Sequence, residues 1–236
     1  MDKDTGSIGA LRNPPPATKK LYFASVLLDI TGLLLLLFIH PIVLLLAIPY
    51  IGASKIYSWN KTRIKKYPIA GWLLVISFQG AYTFFLTCVA VSPMHSIDLN
   101  EQFQSAMLLS SLLIGAYYPM TQIYQHDEDI KRGDKTISYL LGIRGTFLFA
   151  LTLFGAAIGV AWYHFDSFFN QTQFWVLIIG LSPVAAYFLI WFKRCWKNPK
   201  KADFNHAMAM TVLSSVCLLL AFITLLLMNH PFVLIR

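Results

Sequence analysis

The chain has 236 residues, 57% of them hydrophobic and 13% charged, against roughly 25% charged in an ordinary soluble domain. A soluble fold of this length cannot hide that much apolar surface. The net charge of +8 therefore reads as the loop bias of a membrane protein, with no nucleic-acid partner expected.

Residues 1–20 are polar and lack the apolar core of a signal peptide. Beyond them lie apolar blocks long enough to cross a hydrocarbon core, which takes about 20 residues of helix. They predict about seven spans, near 22–38, 41–58, 69–91, 105–125, 139–163, 173–193 and 207–228. The expected fold is all-α, a polytopic membrane helical bundle, with 1–20 as a cytoplasmic N-terminal segment and 21–236 as one transmembrane domain.

Only Ile39-His40-Pro41 separates the first two spans, and one bent helix is the alternative to a hairpin. Basic residues favour the hairpin. Lys3, Arg12, Lys19 and Lys20 precede the first span, and Lys55, Lys61, Arg63, Lys65 and Lys66 cluster around the end of the second. The positive-inside rule places both groups in the cytoplasm, so an even number of crossings lies between them. Continued along seven spans, every one of the 19 Lys and Arg residues except Arg236 falls on that side.

Asp29 lies mid-way along the first span, where an acid is expensive; it is either functional or held by a neighbouring helix. Pro68 suits a helix start and Pro93 a helix stop, and Pro183 predicts a kink in the sixth span. Gly155 and Gly159 form a GxxxG in the fifth, which permits close helix contact and reads as local packing. Trp72, Trp162, Trp175 and Trp191 fall near span ends, as interface anchors do. Cys88, Cys195 and Cys217 are widely spaced without a CxxC, so neither a metal cluster nor a disulfide framework is expected.

The densest polar cluster runs from Gln122 to Thr136 at the inner end of the fourth span. If the helix continues, Gln122, Gln125 and Asp129 share one face. Asp127 lies about 200° from Asp129 around a regular helix, so both serve one site only if the helix ends or unwinds nearby. Gly133 is a natural terminator. Carboxylates at a membrane surface suit Mg²⁺, which keeps several waters and bridges to phosphate oxygens. Lys131, Arg132 and Lys135 have the charge to neutralise a diphosphate. On residues alone, such a site and an ordinary solvated loop stand level.

The segment Tyr118-Pro119-Met120-Thr121-Gln122 through Gly133-Asp134-Lys135-Thr136, followed by Leu141-Gly142, resembles the second aspartate-rich motif of the UbiA superfamily of intramembrane prenyltransferases. In that family an Asp-x-x-x-Asp precedes Gly-x-x-Thr and a helix with an early Leu-Gly. Asp129 matches the second aspartate, whereas Gln125 occupies the position of the first, so Asp127 or Glu128 is expected to supply that charge. Tyr57-Ser58, with the basic run through Lys66, is similar to a family segment whose cations hold diphosphate, which makes Lys61, Arg63 and Lys65 candidates. The N-terminus resembles the tail of the first motif, Asn-x-x-x-Asp-x-x-x-Asp, with Asp2 at its middle aspartate, Asp4 nearby and Gly6 at its last. Members usually have nine helices, so this chain resembles helices three to nine. The first two helices are expected to lie upstream of Met1, in a reading frame that continues for roughly 50–60 codons.

The resemblance implies a membrane prenyltransferase that moves an isoprenoid group from a prenyl diphosphate to an aromatic or lipid acceptor. By the same resemblance Asp129 and Asp127 are catalytic, Mg²⁺ is held by Asp127, Asp129, Asp2 and Asp4, and Lys61, Arg63, Lys65, Lys131 and Gln122 contact the diphosphate. The rival readings are a non-catalytic or truncated membrane protein of the same fold and a transporter, for which inverted repeats or matched broken helices would be expected.

Overall fold

The computed structural model describes residues 11–229 except 17, 60, 95 and 96, so Asp2 and Asp4 lie outside the described residues. The described residues form helices without strands. In chain order these are α1 (Lys19–Leu36), α2 (Pro41–Ser58), α3 (Pro68–Val91), α4 (Glu101–Gln122), α5 (His126–Arg132), α6 (Ile137–Phe168), α7 (Gln171–Lys197) and α8 (Phe204–Asn229).

All but the short α5 have 18 residues or more, and they fall on the seven expected spans. Five of them, α2, α3, α6, α7 and α8, are both long and apolar enough to cross a membrane. The other two are more polar. Lys19, Lys20 and Asp29 lie in α1, and Gln102, Gln104, Ser110, Ser111 and Gln122 lie in α4.

Capping groups set the helix starts. Thr18 accepts from Leu21 N at the start of α1, Asn100 from Phe103 N at α4, and Asn170 from Gln173 N at α7. His40 Nδ1 accepts from Ile42 N at 3.3 Å, with Pro41 in the first turn of α2. The first two spans are thus a hairpin. Across it, Asp29 pairs with Lys55 at 2.5 Å, which gives the intramembrane acid a partner on the neighbouring helix.

The bundle is centred on α4 against α6 and α7 against α8, while α1 lies at its edge beside α2 with no buried residue. The main core lies at the end that carries α5. There Phe147 packs 5.0 Å from Trp191 and 5.1 Å from Phe192, ring centre to ring centre, with Met120, Cys195 and Met210 around them. At the other end His164 is buried and bonds Ser105 Oγ at 2.7 Å, tying α6 to α4.

Two helices are irregular. Residues Ile76–Tyr82 of α3 form a π-helix, and Ser111 of α4 meets its displaced backbone. Ser111 Oγ accepts from Ala81 N at 3.0 Å and donates to Ile76 O at 3.1 Å. Gly80 permits this, since a Cβ there would stand 2.6 Å from Ser111 Cα. In α6 the break falls at Gly142, φ 67 and ψ 174, a backbone that favours glycine. Thr146 Oγ1 donates to Gly142 O at 2.8 Å, satisfying a carbonyl the break would otherwise strand. The GxxxG expectation is corrected: nothing lies within 4 Å of a Cβ built at Gly155 or Gly159, so close contacts fall at Gly80 and Gly180 instead.

Candidate active site

Two connecting segments meet at the α5 end of the bundle. One leaves α2 at Ser58 and turns through Arg63, whose φ of 40 is left-handed and strained for a residue with a side chain. The other runs from α4 through α5 to Gly133, φ 72, which ends the short helix. Arg63 Nη2 donates to Asp134 Oδ2 at 2.7 Å, and Lys65 Nζ lies 3.8 Å from the same oxygen. Lys135 N donates to Lys66 O at 3.2 Å, so backbone and side chains both join the segments. Asp134 is only 2% exposed. A buried carboxylate needs such partners, and their attraction holds the Arg63 backbone in place.

Asp129 is buried beside this junction. Its Oδ2 accepts from Thr136 Oγ1 at 3.2 Å, while Thr136 Oγ1 also accepts from Tyr139 N and so caps α6. Burial pushes the Asp129 carboxyl up to about 6, and the Thr136 hydrogen bond opposes the shift only in part. Next to it the hydroxyls of Tyr57 and Tyr118 bond across α2 and α4. Lys65, Asp129 and Asp134 all lie within electrostatic reach of the Tyr57 hydroxyl. Gln122 Nε2 donates to Tyr118 OH at 2.8 Å. Two buried oxygens, Gln122 Oε1 and Asp134 Oδ1, have no hydrogen-bond partner.

The fold therefore brings Asp129, Gln122, Arg63 and Lys65 to one place. Asp127, two residues from Asp129 on a helix that does not unwind between them, is exposed. Glu128 is taken up by Arg132 at 2.9 Å. The second buried carboxylate of the site is Asp134, not either of these. Nor does one helix carry Gln122, Gln125 and Asp129, because α4 stops at Gln122 and Gln125 sits in the break with φ −99 and ψ 0. The Gln125 amide donates to Tyr124 OH at 2.9 Å. Lys131 is exposed, as is Lys61, which lies 5.8 Å from the Trp59 ring centre. Among the described residues no group of three or more His, Cys, Asp or Glu side chains is arranged to hold a metal ion.

From Tyr57 toward the middle of α2, that helix and α3 part around a half-enclosed cleft of about 60 Å³. Tyr50, Ser54 and Tyr57 line it from α2, and Phe78 and Gln79 line it from the π-helical segment of α3.

Both segments of the site lie within residues 17–214, the stretch that matches the UbiA prenyltransferase family. The chain belongs to that family. No curated protein and no solved structure matches it. As a UbiA-family protein with five apolar spanning helices, it is an integral membrane protein with a prenyltransferase domain. The family match runs from just before α1 into α8 and so takes in every helix that carries a residue of the site.

Proposed function

We propose that this UbiA-family chain is a Mg²⁺-dependent enzyme that transfers an isoprenoid group from a prenyl diphosphate to an aromatic or lipid acceptor. The observation that carries the reading is the buried Asp134 paired with Arg63 and Lys65, with a second buried carboxylate, Asp129, beside it where the spans end. Such a site has the charges to receive a diphosphate at the membrane surface while its apolar tail stays in the bilayer.

The donor set fits Mg²⁺ in a particular way. It offers hard oxygens, Asp129, the unpartnered Asp134 Oδ1 and the unpartnered Gln122 Oε1, and Mg²⁺ is commonly held by one or two carboxylates with waters and substrate phosphate completing its shell. A protein cage of three acids is not required. When bound, the ion would neutralise charge gathering on the departing diphosphate. Gln122 can serve a cation through its buried, unpartnered Oε1, while one of its two amide N–H bonds is engaged with Tyr118.

Asp134 fixes the direction of the Arg63 guanidinium, whose planar donor fork matches phosphate oxygens. Lys65 adds a second positive charge. In the reaction the bond between prenyl C1 and the diphosphate oxygen breaks, with the electron pair leaving on diphosphate. An acceptor atom bonds to C1 and loses its proton, so the products are prenylated acceptor, diphosphate and one proton. Arg63 and Lys65 stabilise the leaving group as its charge grows, which is where fixed electrostatics contribute most.

A non-catalytic role is the second reading, favoured by Gln125 standing in the place of an acid and by Asp134 being already neutralised. The purified full chain in lipid nanodiscs, given a prenyl diphosphate with and without Mg²⁺, separates the two. Transferase activity predicts diphosphate release that depends on Mg²⁺. Prenyl diphosphate that binds saturably but is never cleaved, across a panel of acceptors, would support the second reading.

A further inference from the structure

We infer that the cleft between α2 and the π-helical part of α3 is the seat of an uncharged, hydrogen-bonding ring compound, and that this ligand is the acceptor. The second half of that statement rests on the transferase reading above; the binding itself does not.

The inference starts from polar groups in the wrong solvent. The Tyr50 and Ser54 hydroxyls and the Gln79 amide lie within two membrane-spanning helices, line one cleft, and make no hydrogen bond within the described structure. Hydrocarbon offers them no partner, and an unsatisfied amide or hydroxyl there costs free energy. Three such groups scattered over a lipid-facing surface would be unrelated accidents. Here they converge. Tyr50, Ser54 and Tyr57 recur at helical spacing on one face of α2, and the π-helix, a form frequent at functional sites, carries Gln79 to the opposite wall.

The chemistry of the lining narrows the ligand. No charged side chain lines the cleft, so a carboxylate or phosphate would enter without a counter-ion. Hydroxyls and an amide both donate and accept, which suits a ring bearing hydroxyl or carbonyl groups. Phe78 supplies an aromatic face, itself 5.2 Å from the Tyr82 ring centre. The volume of about 60 Å³ is several times the ~10–15 Å³ that a single water needs. The polar edge of a ring fits there, with the rest along the open side. Tyr57 belongs both to the cleft and to the hydrogen-bonded pair beside Asp129, so a ligand seated here has one end at the proposed diphosphate site.

The test is direct binding to the full chain in nanodiscs, with empty nanodiscs subtracted, using 1-naphthol and 1-naphthoate as neutral and anionic versions of one ring. Saturable binding of 1-naphthol is expected, with none of 1-naphthoate. Gln79→Leu and Ser54→Ala, on opposite walls, should each weaken 1-naphthol roughly tenfold or more, since each leaves a ligand polar group without its partner. Binding of a non-hydrolysable prenyl diphosphate analogue should be unchanged in the Ser54→Ala protein. Equal 1-naphthol binding by wild type and both variants would overturn the site. Equal binding of 1-naphthoate would overturn the ligand class, and water filling the cleft would appear as no saturable binding of either probe. Failure of Mg²⁺-dependent diphosphate release, with 1-naphthol binding intact and sensitive to both variants, would remove the transferase reading and leave the cleft assignment standing.

Discussion

Arg63 and Asp134 are 71 positions apart in sequence and meet at 2.7 Å, the carboxylate almost wholly buried and the guanidinium largely so. This contact closes the ring of segments around Asp129. Removing one partner of a buried ion pair strands the other, at a cost of about 3 kcal/mol or more. Asp134→Asn is therefore expected to lower the unfolding midpoint of the purified protein and to weaken diphosphate binding, because Arg63 loses its anchor. A double-mutant cycle with Arg63→Gln should show coupling of at least ~1 kcal/mol, and additive effects would show that the contact carries no energy of its own.

Asp129 and Asp127 should respond differently to the same substitution. Asp129→Asn removes a buried carboxylate from the proposed metal and diphosphate site and should reduce turnover by about 10² or more, with the protein still inserted and folded. Asp127 is exposed, and Asp127→Asn should leave turnover within about threefold of wild type, a surface change of the usual small size. A prenyl-transfer assay with both variants decides, and unchanged turnover in Asp129→Asn would remove that residue from the site.

The raised Asp129 carboxyl gives two pH effects of opposite sign. Burial disfavours its ionised form, so the free protein should gain stability as the pH falls through about 6 toward the ordinary carboxylate range. Mg²⁺ needs the ionised form, so Mg²⁺ affinity should fall over the same interval. Thermal unfolding and Mg²⁺ titration from pH 7.5 to 4.5, a range of about three units around that value, should show both slopes in wild type and neither in Asp129→Asn.

Orientation follows from the segregation of lysine and arginine. In a background lacking Cys88, Cys195 and Cys217, the variants Lys61→Cys, Lys131→Cys and Lys197→Cys should react with an impermeant thiol reagent only from the cytoplasmic side. Asn100→Cys should react only from the opposite side. Labelling of any of the three former positions from outside would break the span order.

Much of the bundle was readable from local chemistry. Pro41 at a helix start and the basic residues flanking the first two spans were enough to place the hairpin, because both signals are short-range. Asp129 was legible through the motif around it. Asp134 was not, since it follows Gly133 in a charged run and looks like any loop acid until Arg63 is folded onto it. The bond between Tyr57 and Tyr118 joins residues 61 apart, and no periodicity reports it. Asp127 was expected in the site on condition that the helix ends or unwinds near it; the helix instead continues unbroken to Gly133 and leaves Asp127 exposed. The π segment of α3 was not legible, because a change in the backbone hydrogen-bond pattern leaves no mark on an apolar block.

The π segment also changes how α3 has to be mapped. Each residue added to a helical turn rotates everything beyond it by about 100°, so the two halves of α3 do not share a stripe. Before the segment Trp72 reaches Gly115 O at 3.0 Å and packs edge-on against Phe149; after it, Phe84 and Phe85 gather around Phe103. One helical wheel drawn through the whole span would assign one of these groups to the wrong neighbour. Deleting a residue between Ile76 and Tyr82 would restore a straight α-helix and turn its outer half away from α4, so chain length there encodes an angle as much as a distance.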